Sequence, residues 1–168
     1  MEYTLPNLTP NTVSLGVLDL LLFSNESSKK NQTGFSIDRD GNSIFGFDEG
    51  DWQEGWYVIG IDQNCFDPIF IDLNDPNLPI YKAMTGMGCW EEKLISENYS
   101  SFLNALRLVE GLKTKYQFSE SVPDDEAKNF MVSIQETIGD GDLYFWGMFI
   151  QLEERDIEFN QILQQISR

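Results

Sequence analysis

The stretch that decides the fold of this chain runs from Trp56 to Leu106 and reads WYVIGIDQNCFDPIFIDLNDPNLPIYKAMTGMGCWEEKLISENYSSFLNAL. Two strongly apolar runs, Trp56–Ile61 and Ile69–Leu73, flank a polar break. This pattern predicts a strand, a turn and a second strand. A third apolar run, Ile80–Met84, follows two prolines and predicts a further strand.

A helix is predicted to follow these strands. Ser96–Asn98 supplies the short polar side chains that commonly cap a helix N-terminus. Gly111 predicts the end of the helix, because glycine readily adopts the left-handed conformation found after helix C-termini. Between these limits, apolar side chains recur at helical spacing, namely Phe102, Leu103, Leu106 and Val109.

This stretch resembles the SMI1/KNR4 family, also called the SUKH superfamily. The resemblance is carried by the strand WYVIGID, the hairpin DPIFIDLNDPNLPIY, the loop AMTGMGCW and the helix LISENYSSFLNAL, which together span about fifty continuous residues. It implies an α+β domain that binds other proteins. In bacteria, most such domains look like immunity proteins that neutralise a cognate toxin, often a nuclease. The family has no shared catalytic motif, so the resemblance transfers no catalytic residue.

The region before this stretch is predicted to contain a helix and a loop. From Asn11 or Thr12 to Phe23 the chain is rich in leucine and valine, and we expect a helix with a broad buried face. The polar segment Ser24–Thr33 is predicted to be a loop.

Two more strands are predicted upstream of Trp56. Gly34–Ile37 and Ser43–Phe47 flank Asp40-Gly41, a dipeptide typical of hairpin turns. With the three strands above, they give a meander of about five strands. Antiparallel order is expected, because a parallel connection needs a crossover of about a dozen residues.

The C-terminal third is predicted to be helical after a polar connection at residues 112–122. A helix is expected from Pro123 to Ile138, with proline and carboxylates in its first turn and a stop at Gly139. A final helical stretch is predicted over Leu143–Ile166.

Together these elements predict the α+β class, with an antiparallel sheet of about five strands and flanking N- and C-terminal helices. We expect a single SUKH-like domain over residues 1–168, in which residues 112–168 form a helical C-terminal extension. Apolar residues make up 41% of the chain, which is enough for a core that needs neither metal nor disulfide.

The charge of the chain restricts its partners. It has 28 acidic and 11 basic residues, which gives a formal net charge of −17. Such a charge disfavours binding to nucleic acid or to an anionic membrane, because both require cations on the protein. A basic protein would instead be attracted. The alternative interpretation is that the acidity only keeps the protein soluble.

The residue inventory argues against an enzyme, a cofactor and a metal site. The chain has no histidine, so the usual general base near neutral pH is missing. Cys65 and Cys89 lie far apart and are predicted to be two reduced thiols. Carboxylate pairs are the remaining candidates for catalysis, but among 28 acids some pair is expected at a suitable distance by chance. The apolar run Val17–Phe23 is too short to span a bilayer, and a cytoplasmic protein is expected.

The densest acidic and aromatic cluster, Asp48–Trp56, is the candidate partner-binding site. We predict that this negative loop contacts a basic protein and that Trp52 is its exposed hydrophobic anchor. The alternative is an ordinary solvated loop. Trp90 is either a core anchor or an interface anchor. The full predicted set is Asp48, Glu49, Asp51, Trp52 and Glu54, with Asp72, Asp75, Trp90, Glu91 and Glu92 as secondary members.

The sequence therefore predicts a protein-binding module. The leading hypothesis is an immunity protein that binds and blocks a basic toxin domain such as a nuclease, without chemistry of its own. The alternative is a regulatory or scaffolding protein of the SMI1/KNR4 type that has no toxin partner. A gene for a large secreted toxin directly upstream would distinguish the two.

Overall fold

The computed structural model describes residues 5–86, 89–116 and 122–151. Within these ranges it confirms the predicted α+β class, with an antiparallel sheet of six strands instead of about five. The strands follow one another across the sheet in chain order, as a meander. They are β1 Asn11–Leu15, β2 Leu18–Leu22, β3 Trp56–Asp62, β4 Pro68–Asp72, β5 Ile80–Gly86 and β6 Cys89–Ser96.

The helices of the described ranges are α1 Asn25–Lys30, α2 Tyr99–Tyr116, α3 Asp124–Ile138 and α4 Leu143–Gly147, followed by the 3-10 turn Met148–Ile150. The prediction of α3 is confirmed, and Gly139 follows it with a positive φ of 67°. The predicted start of α2 is also confirmed, since the Asn98 carboxamide accepts the Ser101 N–H at 2.8 Å. Among the described residues, no helix is both long and apolar enough to cross a membrane.

The helix predicted from Asn11 or Thr12 to Phe23 is wrong, because this region forms the hairpin β1–β2. Leu18, Leu20 and Leu22 are buried on alternate positions, which is the period of a strand. The hairpin turns at Gly16, whose φ of 60° favours glycine and whose missing Cβ leaves room for the Met148 carbonyl.

The loop predicted over Ser24–Thr33 is also wrong in part, because it contains α1. Ser24 caps this helix reciprocally with Ser27: each side-chain oxygen accepts the other residue's N–H, at 2.8 and 3.1 Å. Gln32 then fixes the segment to β3. Its carboxamide donates to the Val58 carbonyl at 2.9 Å and accepts the Val58 N–H at 3.0 Å.

The two strands predicted at Gly34–Ile37 and Ser43–Phe47 are replaced by irregular structure. A single antiparallel bridge joins Ile37 to Ser43. The turn between them is organised by the Asp38 carboxylate, which accepts backbone N–H groups from Asp40 and Asn42, both at 2.8 Å. Hydrogen bonds from Asn42 lower the pKa of Asp38, because they favour its charged form.

Two predictions near the middle of the chain need correction, and a third reaches beyond the described residues. The predicted loop AMTGMGCW is a hairpin, in which Gly86 pairs with Cys89 and residues 87–88 lie outside the described residues. The predicted end of α2 at Gly111 is wrong, because the helix continues to Tyr116 and includes the first residues of the predicted connection at 112–122. The predicted final helix is α4 and its 3-10 turn as far as residue 150, and its remainder from residue 152 lies outside the described residues.

One face of the sheet packs against the helices and forms the larger core. The predicted C-terminal extension contributes to this same core through α3 and α4. Trp146 of α4 is fully buried there and donates its indole N–H to the Ile95 carbonyl at 2.8 Å. The sheet supplies Ile59, Ile69, Ile71, Ile80 and Ile95, and the helices supply Phe102, Leu106, Ile134, Ile138 and Trp146.

Candidate functional site

The other face of the sheet is covered by the loop between α1 and β3, and Trp52 is the centre of the contact. Trp52 is only 2% exposed, so the prediction that it is an exposed anchor is wrong. Its indole N–H donates to the Trp56 carbonyl at 3.1 Å. Four aromatic rings have centroids 5.0–5.5 Å from that of Trp52, namely those of Phe35, Trp56, Phe70 and Trp90. The loop folds onto the sheet because this aromatic face would otherwise meet water.

Hydrogen bonds hold the same loop against the edge of the sheet. The Trp90 N–H of β6 donates to the Gly50 carbonyl at 2.7 Å. Gly50 has a φ of 88°, and a Cβ at this position would collide with the Cys89 side chain. The Asp51 carboxylate accepts the Asp48 N–H at 3.1 Å, which closes the loop on itself. The carboxylates of this loop are therefore presented on a fixed backbone.

An open groove of about 560 Å³ lies between this loop and β6, and we call it the acidic groove. Four carboxylates and two tryptophans line it, and no lysine or arginine belongs to its described lining. It therefore combines negative charge with aromatic surface, the combination that the sequence predicted for the loop alone. The lining residues are Glu49, Gly50, Asp51, Gln53, Trp56, Cys89, Trp90, Glu91 and Glu92.

The acidic character continues along the sheet around Tyr81 of β5. Tyr81 stacks on Phe70 with ring centroids 5.5 Å apart and planes inclined by 17°. Burial raises the pKa of Tyr81, and the charges of Asp72, Asp75 and Glu92 raise it further. Glu92 thus belongs both to the acidic groove and to the carboxylates around Tyr81.

The structure brings most of the predicted residues to one region and separates a few. Asp48 and Glu54 are exposed on the same loop but do not line the acidic groove. Trp90 packs partly buried against the aromatic cluster and also lines the groove, and its role as an interface anchor stays a prediction. Glu49, Asp51, Glu91 and Glu92 line the groove, and Asp72 and Asp75 lie near Tyr81.

The structure also shows an exposed aromatic residue that sequence reasoning did not select. Phe47 is 90% exposed and lies directly before the acidic loop, although the sequence predicted it in a strand. Its ring meets that of Phe45 edge-on at 6.3 Å, and Ile44 nearby is 45% exposed. The one available signal was that Phe47 stands between Gly46 and Asp48, two residue types that are depleted in strands.

A second cluster of titratable groups surrounds Lys82 and does not suggest catalysis. The Lys82 ammonium lies 3.3 Å from carboxylate oxygens of both Asp62 and Asp67. Burial, and then hydrogen bonding to Asp67, raises the pKa of the Cys65 thiol to about 11. This thiol is therefore protonated at neutral pH, whereas the thiolate is the nucleophilic form.

Neither metal chemistry nor a known relative identifies the site. In the described ranges, no group of three or more His, Cys, Asp or Glu side chains is arranged to hold a metal ion. Comparison of the chain with protein-family models, with curated proteins and with solved structures found no match.

Proposed function

We propose that this protein is a binding module of the SMI1/KNR4 type, which acts as an immunity protein by binding and blocking a basic toxin domain. The observation that carries the proposal is the acidic groove, where four carboxylates surround two tryptophans on a fixed backbone. The net charge of −17 adds a long-range attraction for a basic partner.

A nuclease is the class of toxin that suits this groove best. Proteins that bind nucleic acid contact its phosphates with lysine and arginine side chains, so the cleft in which a nuclease binds its substrate is basic. The carboxylates that line the acidic groove can occupy such a cleft in place of the phosphates. Inhibition would then result from occlusion of the cleft, and the inhibitor would need no reactive group.

The surface also offers an apolar contact beside the charges. Phe47 is 90% exposed and adjoins the loop that supplies Glu49 and Asp51. Aromatic side chains of this kind dominate binding energy when a partner buries them. We assign to Phe47 the anchor role that the sequence assigned to Trp52, because Trp52 is buried.

Charge reversal in the groove tests the electrostatic part of the proposal. The double variant Glu49→Lys/Glu92→Lys is expected to lower the association rate with the toxin roughly tenfold at low salt, and by much less at high salt, because salt screens exposed charges. Surface-binding kinetics at two salt concentrations measure this, with the product of any toxin gene found beside this one as partner. Co-expression with the toxin measures neutralisation.

The matched control for the charge reversal is Asp125→Lys/Glu136→Lys on α3. This double variant changes the net charge by the same amount, but both residues are exposed and lie outside the groove. Equal slowing by both double variants would show that the groove has no special role. Binding without neutralisation would favour the scaffolding alternative over the immunity function.

Replacement of Phe47 tests the apolar anchor. Phe47→Ala is expected to raise the dissociation rate of the toxin complex by roughly 30-fold, the equivalent of about 2 kcal/mol for a hot-spot residue. The control is Phe66→Ala, because Phe66 is 71% exposed in the turn between β3 and β4 and does not line the groove. An unchanged dissociation rate for Phe47→Ala would remove Phe47 from the interface.

A further inference from the structure

The outer edge of β6 has a pattern of hydrogen bonds that bears on how a partner binds. β6 is the last strand of the sheet and pairs with β5 on one side. On its other side, the Trp90 N–H donates to Gly50 at 2.7 Å and the Leu94 carbonyl accepts the Asp142 N–H at 2.8 Å. In an antiparallel strand, alternate residues direct their peptide groups to the same side. Trp90, Glu92 and Leu94 therefore all direct their peptide groups outward.

Glu92 is the middle residue of these three. No hydrogen bond outside the sheet engages the Glu92 N–H or carbonyl in the described part of the chain. The side chains of Glu91, Glu92 and Lys93 are exposed. The segment from Trp90 to Leu94 extends over roughly 14 Å at the rise of a β-strand. Within the described residues, Glu92 is the open position of this edge, and Trp90 and Leu94 on either side of it are engaged.

We propose that the basic partner adds an extended segment to this edge, so that its backbone pairs with β6 around Glu92 and its cations meet the carboxylates of the acidic groove. The proposal rests on the proposed function for the partner's basic character. Such strand addition is an established mode of peptide recognition, in which backbone hydrogen bonds provide affinity and side-chain pockets provide specificity.

The arrangement of charges around the edge selects the occupant. Successive residues of a strand face opposite sides of the sheet, so Glu91 and Glu92 place one carboxylate on each side. A guest strand with closely spaced lysines or arginines meets a carboxylate on either side. Glu49 and Asp51 line the same groove from the loop opposite. The same charges oppose pairing with acidic or apolar strands, which is how charged edges prevent aggregation.

Two peptides and backbone hydrogen exchange test the proposal on the intact protein. The probe is a ten-residue peptide in which pairs of lysines alternate with pairs of valines, so that lysines face both sides of the sheet, and its control is the same peptide methylated on every backbone nitrogen. The control keeps the charge and loses the backbone donors. We expect the probe to bind at least tenfold more tightly than the control. We also expect the probe to slow exchange of the Glu92 amide hydrogen at least tenfold.

Substitutions at Glu92 separate charge from backbone pairing. Glu92→Gln removes the carboxylate and keeps the N–H, whereas Glu92→Pro also removes the N–H. Proline is tolerated on edge strands when the lost N–H faces outward, so the fold is expected to persist. Binding of the probe should weaken at least tenfold more in Glu92→Pro than in Glu92→Gln. The measurements on the unaltered protein decide the matter even if Glu92→Pro does not fold.

The outcomes distinguish this inference from the proposed function. Equal binding of both peptides, with no protection of the Glu92 amide, would overturn strand addition and leave attraction by the acidic groove intact. Binding of neither peptide would also overturn strand addition. The proposed function is tested separately, and it is contradicted if charge reversal at Glu49 and Glu92 leaves association with the toxin unchanged.

Discussion

Trp52→Ala is expected to lower the free energy of unfolding by about 3–5 kcal/mol, the usual cost of removing a large buried aromatic side chain. Trp52 is 2% exposed, and its ring centroid lies 5.0 Å from that of Phe70 on β4. The substitution also leaves the Trp56 carbonyl without the indole N–H that now donates to it. Urea denaturation followed by circular dichroism measures the loss.

The control for this prediction is Phe47→Ala, which removes an aromatic side chain that is 90% exposed. Its effect on the free energy of unfolding should stay within about 0.5 kcal/mol, as for most surface substitutions. Similar stability of Trp52→Ala and the unaltered protein would mean that the loop does not depend on Trp52. The acidic groove would then not be held by this aromatic cluster.

Lys82→Met is expected to lower the free energy of unfolding by about 3 kcal/mol, because it removes the cation between two carboxylates. The Asp62 side chain is 5% exposed and that of Lys82 14%, so water replaces the lost ion pair poorly. Thermal or urea unfolding at neutral pH measures the loss. A double variant that also carries Asp62→Asn should recover part of it, because it removes the unpaired charge.

The matched control is Lys30→Met, which breaks the ion pair with Glu26 on α1. Those side chains are 75% and 85% exposed, and the expected change is within about 0.5 kcal/mol. Equal effects of the two lysine substitutions would show that the Lys82 cluster behaves as an ordinary surface ion pair.

The Lys82 contribution should also depend on pH in a defined direction. Burial lowers the pKa of Lys82, but its interactions with Cys65, Asp62 and Asp67 outweigh the burial and raise it overall. The stabilisation is therefore complete below the ordinary lysine pKa of about 10.4 and is lost as the pH rises through the raised value. The stability difference between Lys82→Met and the unaltered protein should accordingly shrink at strongly alkaline pH.

The same loop supports both the stability of the fold and the proposed binding site. Trp52 attaches the loop to the sheet through the aromatic cluster, while Glu49 and Asp51 of the same loop line the acidic groove. A substitution that loosens the aromatic cluster should therefore slow or weaken partner binding as well. Binding variants must be compared with stability controls before an effect is assigned to contact with the partner.

The sequence predicted the elements whose signals are local. The strands β3 and β4 follow from compact apolar runs, and α3 follows from a proline and carboxylates before an apolar stripe that ends at Gly139. Caps, breakers and periodicity act within a few residues, so these elements can be predicted from the sequence alone. The net charge of −17 is likewise fixed by composition, whatever the fold.

Tertiary contacts determined the secondary structure of those segments whose local sequence signals fitted two structures or none. Leu18, Leu20 and Leu22 fit a strand, yet the same leucine-rich run also fits a broad helix stripe. Pairing with β3 selects the strand, because the hydrogen-bond partners of a strand lie far away in sequence. Strand β6 was not predicted for a similar reason. Its stretch Glu91–Lys93 is charged throughout and lacks the alternation of apolar and polar residues that indicates a strand.

The candidate site shows the same division between local and distant information. The sequence identified the acidic loop and the carboxylates of Glu91 and Glu92, because their charge density is visible in the chain itself. It placed Trp52 in the solvent and Phe47 in a strand, and the structure reverses their exposure. Whether an aromatic side chain is buried depends on which surfaces meet in three dimensions. The bond from Trp90 to Gly50 that forms the groove joins two segments far apart in the sequence, and only the fold brings them together.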